Sequence, residues 1–191
     1  EDERIGLGSG QREPARYSTR ELIRIEAGMV SRAQWLSGRS SHGVPDKTLR
    51  SVFERHDRLS DEQRAAIAHV AAEGRLAAVV GRAGAGKTTM MKAAREAWEM
   101  AGYRVVGAAL AGKAAEGLEK EAGTASRTLA SWELAWGKGR DRLDDRTIFV
   151  LDEAGMVSSR QMALIVESVV TSGAKLVLVG DPDQLQPIEA G

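Results

Sequence analysis

At 191 residues the chain can bury a full domain plus an appendage, and without a single cysteine it can form neither disulfides, thiolate metal sites nor thiol nucleophiles. Its acidic and basic side chains balance at 27 each, so any nucleic-acid contact must come from a local groove, and three scattered histidines (His42, His56, His69) argue against a histidine metal centre. The absence of cysteine fits a reducing cytoplasm; no apolar run approaches the ~20 residues of a membrane span and the opening Glu1-Asp2-Glu3-Arg4 is unlike a signal peptide, so no membrane partner is expected, and the missing initiator Met points to an excerpt of a longer protein.

Residues 1–16 are polar, carry Gly6, Gly8, Gly10 and Pro14, and read as a linker or disordered lead-in. Residues 17–57 read as a small helical N-terminal segment. Ser18-Thr19-Arg20-Glu21 fits a capping box, and Leu22, Ile25, Met29, Ala33 and Leu36 then recur at helical spacing until Gly38. A second helix is expected over 47–55, and packing or partner contact is the segment's expected duty. From residue 58 to 191 the pattern changes to strands alternating with helices. Helices are predicted over 60–73, 87–100, 112–121, 128–136 and 158–172, and strands over 76–80, 103–110, 147–151 and 175–179. Such alternation predicts an α/β fold with a parallel sheet flanked by helices, here incomplete at its C-terminal end. Trp132 and Trp136 lie four apart, a spacing that favours core packing over base stacking; Trp35 and Trp98 read as packing residues too.

Three stretches carry chemistry. Gly81-Arg82-Ala83-Gly84-Ala85-Gly86-Lys87-Thr88 is G-x-x-x-x-G-K-[ST] in full, after the apolar run Ala77-Ala78-Val79-Val80 and before a helix. Glycines let backbone N–H groups converge on one anion and the helix start adds its positive dipole end, which is the cradle of a P-loop NTPase. Gly81, Gly84, Ala85, Gly86, Lys87, Thr88 and Thr89 are therefore expected around a nucleoside triphosphate, Lys87 on the β- and γ-phosphates and the Thr88 hydroxyl on Mg²⁺. Ile148-Phe149-Val150-Leu151-Asp152-Glu153 is an apolar strand ending in two carboxylates, expected beside the phosphate loop. There Asp152 would hold the metal's water shell and Glu153 would orient and deprotonate the attacking water. Third, a buried strand runs into Gly180-Asp181-Pro182-Asp183-Gln184, at the crevice where ligands bind in open α/β sheets. Gln184 there is placed to donate to the γ-phosphate and report its loss, although an ordinary Asp-Pro turn has the same composition.

With these elements together the chain resembles the first motor domain of superfamily 1 helicases of the RecD-like branch, and more narrowly the helicase part of Ti-type conjugative transfer relaxases of the TraA kind. The resemblance runs through Leu59-Ser60-Asp61-Glu62-Gln63, Gly81 to Thr89, Gly107 to Leu118, Ser126 to Trp136, Asp152 to Val157 and Gly180 to Gly191, with Arg16 to Glu21 resembling the segment before the motor. It implies a RecA-like domain that drives 5′-to-3′ translocation on single-stranded DNA during plasmid transfer. The implied roles are Gln63 on the adenine edge, Lys87 and Thr88 on phosphate and Mg²⁺, Asp152 on the metal, Glu153 as base and Gln184 as sensor. A capping box with Ser60 explains Gln63 equally well. Lys113, Arg127 and Thr128 fall in segments that face DNA in the related helicases. The implied partners are single-stranded DNA and, in the parent chain, a nuclease domain and a second motor domain. The second motor supplies arginine fingers, so this chain by itself is expected to hydrolyse ATP poorly. No relaxase site is expected here, because the histidines are isolated and the tyrosines, Tyr17 and Tyr103, sit beside a helix start and a strand start. Another P-loop ATPase, or a nucleotide-dependent binding module without unwinding activity, remains the alternative.

Overall fold

The computed structural model describes residues 4–6, 17–81 and 86–181. Strands β3 (Leu76–Val80), β4 (Arg104–Ala109), β5 (Ala125–Thr128), β6 (Thr147–Leu151) and β7 (Lys175–Gly180) form one parallel sheet in the order β3-β7-β6-β4-β5. Helices α1 (Arg20–Ser37), α2 (Asp46–Arg55), α3 (Asp61–Ala71), α4 (Lys87–Met100), α5 (Gly112–Ala122), α6 (Leu129–Gly137) and α7 (Ser159–Ser172) cover its faces. The predicted α/β class and parallel sheet are what the chain adopts.

Alternation along the strands decides which helix covers which face. Ile148 and Val150 on β6, Val105 on β4 and Val177 and Val179 on β7 join a core with residues of α2, α3, α4 and α5. Their neighbours Phe149, Leu151, Val106, Ala108 and Leu176 join a second core with residues of α1, α6 and α7. All of β6 is buried, as a central strand with two covered faces must be. On β4, Gly107 allows a close approach: a Cβ there would stand 2.7 Å from Leu118 Cδ2 and 2.3 Å from Ser126 Oγ. The Gly107 carbonyl also accepts the indole N–H of Trp132 at 2.9 Å.

The structure departs from the sequence expectations at several places. Arg4–Gly6, within the stretch expected to lack fixed structure, is a strand (β1) paired antiparallel with Tyr17–Thr19 (β2), each satisfying the other's backbone groups. Thr19, one residue after the predicted Ser18, caps α1 by accepting from the Leu22 N–H at 3.1 Å. Strand β5 is absent from the predicted elements: four residues with a polar run, Ala125-Ser126-Arg127-Thr128, carry no apolar alternation, and only pairing with β4 makes them a strand. Trp98, Trp132 and Trp136 pack as expected, the last two around Phe149 at centroid distances of 5.3 and 5.7 Å. Trp35 does not; it is 43% exposed, with the guanidinium groups of Arg39 and Arg75 at 4.4 and 5.4 Å from its ring. Residues 17–57 lie on both faces of the sheet, with Leu36 fully buried in one core and Val52 in the other. Among the described residues no helix is long and apolar enough to cross a membrane.

Candidate functional site

The candidate site lies at the C-terminal edge of the sheet. Strand β3 leads into the phosphate loop at Gly81, whose N–H donates to the Gly180 carbonyl of β7 at 3.1 Å, and α4 begins at Lys87. The expected positions Gly84 and Ala85 lie outside the described residues, as does Gln184. Gly86 precedes α4 in the left-handed region (φ +72°), a conformation glycine adopts without the cost a side chain would bring. A Cβ at Gly86 would also stand 2.3 Å from Gln63 Nε2, so a side chain there would have to displace that amide. Thr89, the third residue of α4, is exposed.

Gln63 joins two elements through its amide. Its oxygen accepts from the Ser60 N–H at 2.9 Å, completing the capping box of α3, and its nitrogen donates to the Gly86 carbonyl at 3.1 Å. The helix cap and a place at the phosphate loop are thus held by one side chain.

The strand carrying Asp152 is not the immediate neighbour of the phosphate-loop strand: β7 lies between β3 and β6. The crossover order that buries β6 centrally puts the end of β7 between the two, so the site draws on three strand ends. Lys87, Thr88, Glu121, Asp152, Glu153 and Val179 line one cavity of about 230 Å³ there. Asp152 is fixed by its own N–H, which donates to the Ala108 carbonyl at 2.9 Å, and its Oδ1 accepts from the Glu153 N–H at 2.9 Å. Glu153 adopts φ +53°, ψ +37°, a left-handed conformation that costs a non-glycine residue roughly 1–2 kcal/mol, and starts the 3-10 turn Ala154–Met156. Strain of this kind persists only where the surroundings impose it, and it concentrates at functional positions.

Two site residues escaped the sequence reading. Asp181, buried at the end of β7, places Oδ2 3.9 Å from Lys87 Nζ. A strand-end rule applied to the Gly180 stretch would have found it. Glu121 near the end of α5 accepts a hydrogen bond from the Thr88 hydroxyl at 3.1 Å, a contact across 33 positions that no local spacing announces.

The donor set suits a small hard cation bound together with phosphate. A hydroxyl (Thr88) and a carboxylate (Asp152) lining one cavity match the few protein oxygens that Mg²⁺ takes beside phosphate oxygens and water. Two of the residues expected at DNA have partners of their own. Arg127 pairs with Asp141 at 3.0 Å and lies 3.9 Å from the centre of the Trp132 ring, and Thr128 caps α6 by accepting from the Ser131 N–H at 3.3 Å. Lys113, the second residue of α5, is exposed.

The AAA domain family matches residues 58–191. The chain is 75% identical over its whole length to the probable conjugal transfer protein TraA of Sinorhizobium fredii, of which it spans 17%. It is 35% identical over 144 residues to the multifunctional conjugation protein TraI of Escherichia coli, covering 71% of this chain and 8% of that protein. It is also 31% identical over 162 residues to the ATP-dependent RecD2 DNA helicase of Deinococcus radiodurans, covering 81% of this chain and 21% of the helicase. With its P-loop signature between β3 and α4 and paired carboxylates after β6, the chain belongs to the AAA domain family, in the RecD-like branch represented among TraA-type conjugal transfer proteins.

Proposed function

We propose that this chain binds ATP with Mg²⁺ and forms the first motor half of a 5′-to-3′ single-stranded-DNA translocase and helicase that acts in conjugative plasmid transfer. The observation that carries the reading is the convergence of Lys87, Thr88, Asp152 and Glu153 on one cavity at the C-terminal edge of a parallel sheet. Lys87 opens α4, so its ammonium and the helix's first N–H groups favour the same anion. Asp181 beside the ammonium holds it at the end of β7, within the site. Thr88 and Asp152 would hold the metal, which when bound neutralises charge growing on the transferred phosphoryl oxygens. Glu153 would accept a proton at its carboxylate from the attacking water. Its left-handed backbone turns the chain out of the strand conformation directly after Asp152. Gln63 ties the phosphate loop to α3 and keeps one amide N–H for the adenine edge. Gln184 would answer to the γ-phosphate, and Lys113, Arg127 and Thr128 would meet the DNA backbone. DNA engagement and plasmid transfer draw their support from the likeness to TraA, TraI and RecD2 proteins, and the polarity follows only from the resemblance of the motifs to RecD-like helicases. Nuclease and second motor domains are proposed for the parent protein, which is where unwinding would take place.

The test is ATP hydrolysis by the parent protein with and without single-stranded DNA. Lys87→Ala is expected to abolish Mg-nucleotide binding, and Glu153→Gln to retain binding while turnover falls at least ~100-fold. DNA-stimulated hydrolysis supports the translocase, DNA-indifferent hydrolysis supports another P-loop ATPase, and tight nucleotide binding without turnover supports a binding module. Normal turnover by the Glu153→Gln protein would remove Glu153 as the base.

A further inference from the structure

The contact between Thr88 and Glu121 is not part of the roles assigned above. An ionised carboxylate can only accept, so in the 3.1 Å hydrogen bond the Thr88 hydroxyl donates to Glu121 Oε2. The lone pairs of the hydroxyl oxygen are then left for an electrophile, on a cavity also lined by Lys87, Asp152 and Glu153. Asp152 does not serve as this acceptor in the structure; its Oδ1 accepts from the Glu153 N–H. The backbone around Glu121 is fixed against α4, because Arg95 Nε donates to the Ala122 carbonyl at 3.0 Å. The facing wall of α5 carries the small residues Ala114 and Gly117, which lets Glu121 reach the start of α4.

We propose that Glu121 is a positioning residue for the divalent cation that accompanies the nucleotide. By holding the Thr88 proton it fixes the rotor of the hydroxyl and makes its oxygen a better metal donor, the function that outer-shell acceptors serve for metal ligands. Its charge adds to those of Asp152 and Glu153, so the cavity favours a triphosphate carrying its dication over the bare, more negative triphosphate. Glu121 thereby sets the preference of the site for metal-complexed nucleotide. The proposal rests on the reading of Thr88 as a metal ligand.

The experiment measures the affinity of the full chain for a fluorescent ATP analogue, once in excess Mg²⁺ and once in EDTA, for the native protein, Glu121→Ala, Glu121→Gln, Thr88→Ala and the double variant Thr88→Ala/Glu121→Ala. Glu121→Ala is expected to lose about tenfold of the Mg²⁺-dependent affinity, the lower end for an outer-shell partner because Glu121 is exposed, with affinity in EDTA within about twofold of native. Glu121→Gln, which keeps an acceptor oxygen without the charge, falls between native and Glu121→Ala. In the Thr88→Ala background the Glu121 change adds nothing. Unchanged Mg²⁺-dependent affinity, parallel loss in Mg²⁺ and EDTA, or additive losses in the double variant would each overturn the proposal. Failure of the nucleotide reading looks different: the native chain would bind no nucleotide, or Lys87→Ala would bind it as well as native.

Discussion

At the residue scale, Glu153 separates what the backbone prefers from what the site requires. Its φ of +53° is a conformation in which glycine has no Cβ to strain and alanine does. Glu153→Gly is therefore expected to be more stable than Glu153→Ala by about 1 kcal/mol, read from paired urea melts, although both lose the carboxylate. Equal stability of the two would mean that the backbone relaxes when the side chain is removed. Lys175 is the opposite case, a charge at the far end of the sheet from the site. It is 1% exposed, donates to the Ala72 carbonyl at 2.7 Å, and burial pushes its pKa down to about 8. A lysine so depressed binds fewer protons when folded than when unfolded, so its penalty is fully present below pH 8 and disappears as the pH rises toward 10.5. The shift corresponds to roughly 3 kcal/mol. In Lys175→Met the rise in unfolding free energy between those pH values should flatten relative to the native chain. His42 runs with the same sign at lower pH. Burial lowers its pKa, so its neutral form, set between Ser41 and the Asp145 carbonyl and stacked on Tyr103, favours the fold above the ordinary imidazole range and loses that effect as the solution is acidified.

At the scale of elements, the strand-to-helix junctions do double work. Thr128 ends β5 and caps α6, and Arg127 beside it is held between Asp141 and Trp132. Thr128→Ala should cost about 1 kcal/mol of stability while Thr128→Ser costs little, as measured by thermal unfolding. Loss of DNA affinity in the alanine variant then counts as a contact only if the serine variant, with its hydroxyl intact, binds normally. Helix α1 is tied to α7 by Ser159 donating to Glu26 at 3.0 Å and Arg160 to Glu21 at 2.8 Å, immediately beyond the turn that follows Glu153. Most element types followed from hydrophobic period and caps, and β3, α4 and β6 coincide with their predicted bounds. β5 did not, because its pairing partner rather than its own side chains makes it a strand.

At the scale of the whole molecule, the segment ahead of the AAA match is part of the packed body. Leu36, Val44 and Val52 are all buried, in cores on opposite faces of the sheet. At about 1.5–3 kcal/mol for each buried aliphatic side chain, removing residues 1–57 withdraws an amount comparable to a domain's entire stability. Such a chain, starting at Arg58, should lose cooperative unfolding in a denaturant titration. An unchanged transition would show that the helices of residues 17–57 are dispensable to the fold.

The phosphate loop, Asp152-Glu153 and the strand–helix alternation were determined by the sequence itself, because each depends on residues that are neighbours along the chain: glycine spacing, a strand's apolar run, a helix start. Tertiary structure alone decided that β7 separates β3 from β6 and that Asp181 meets Lys87. It alone brought Glu121 to Thr88 and left Trp35 half outside between two arginines. Those outcomes rest on crossover order and on helix packing across a sheet, where partners tens of residues apart are chosen by burial and shape and leave no period in the sequence.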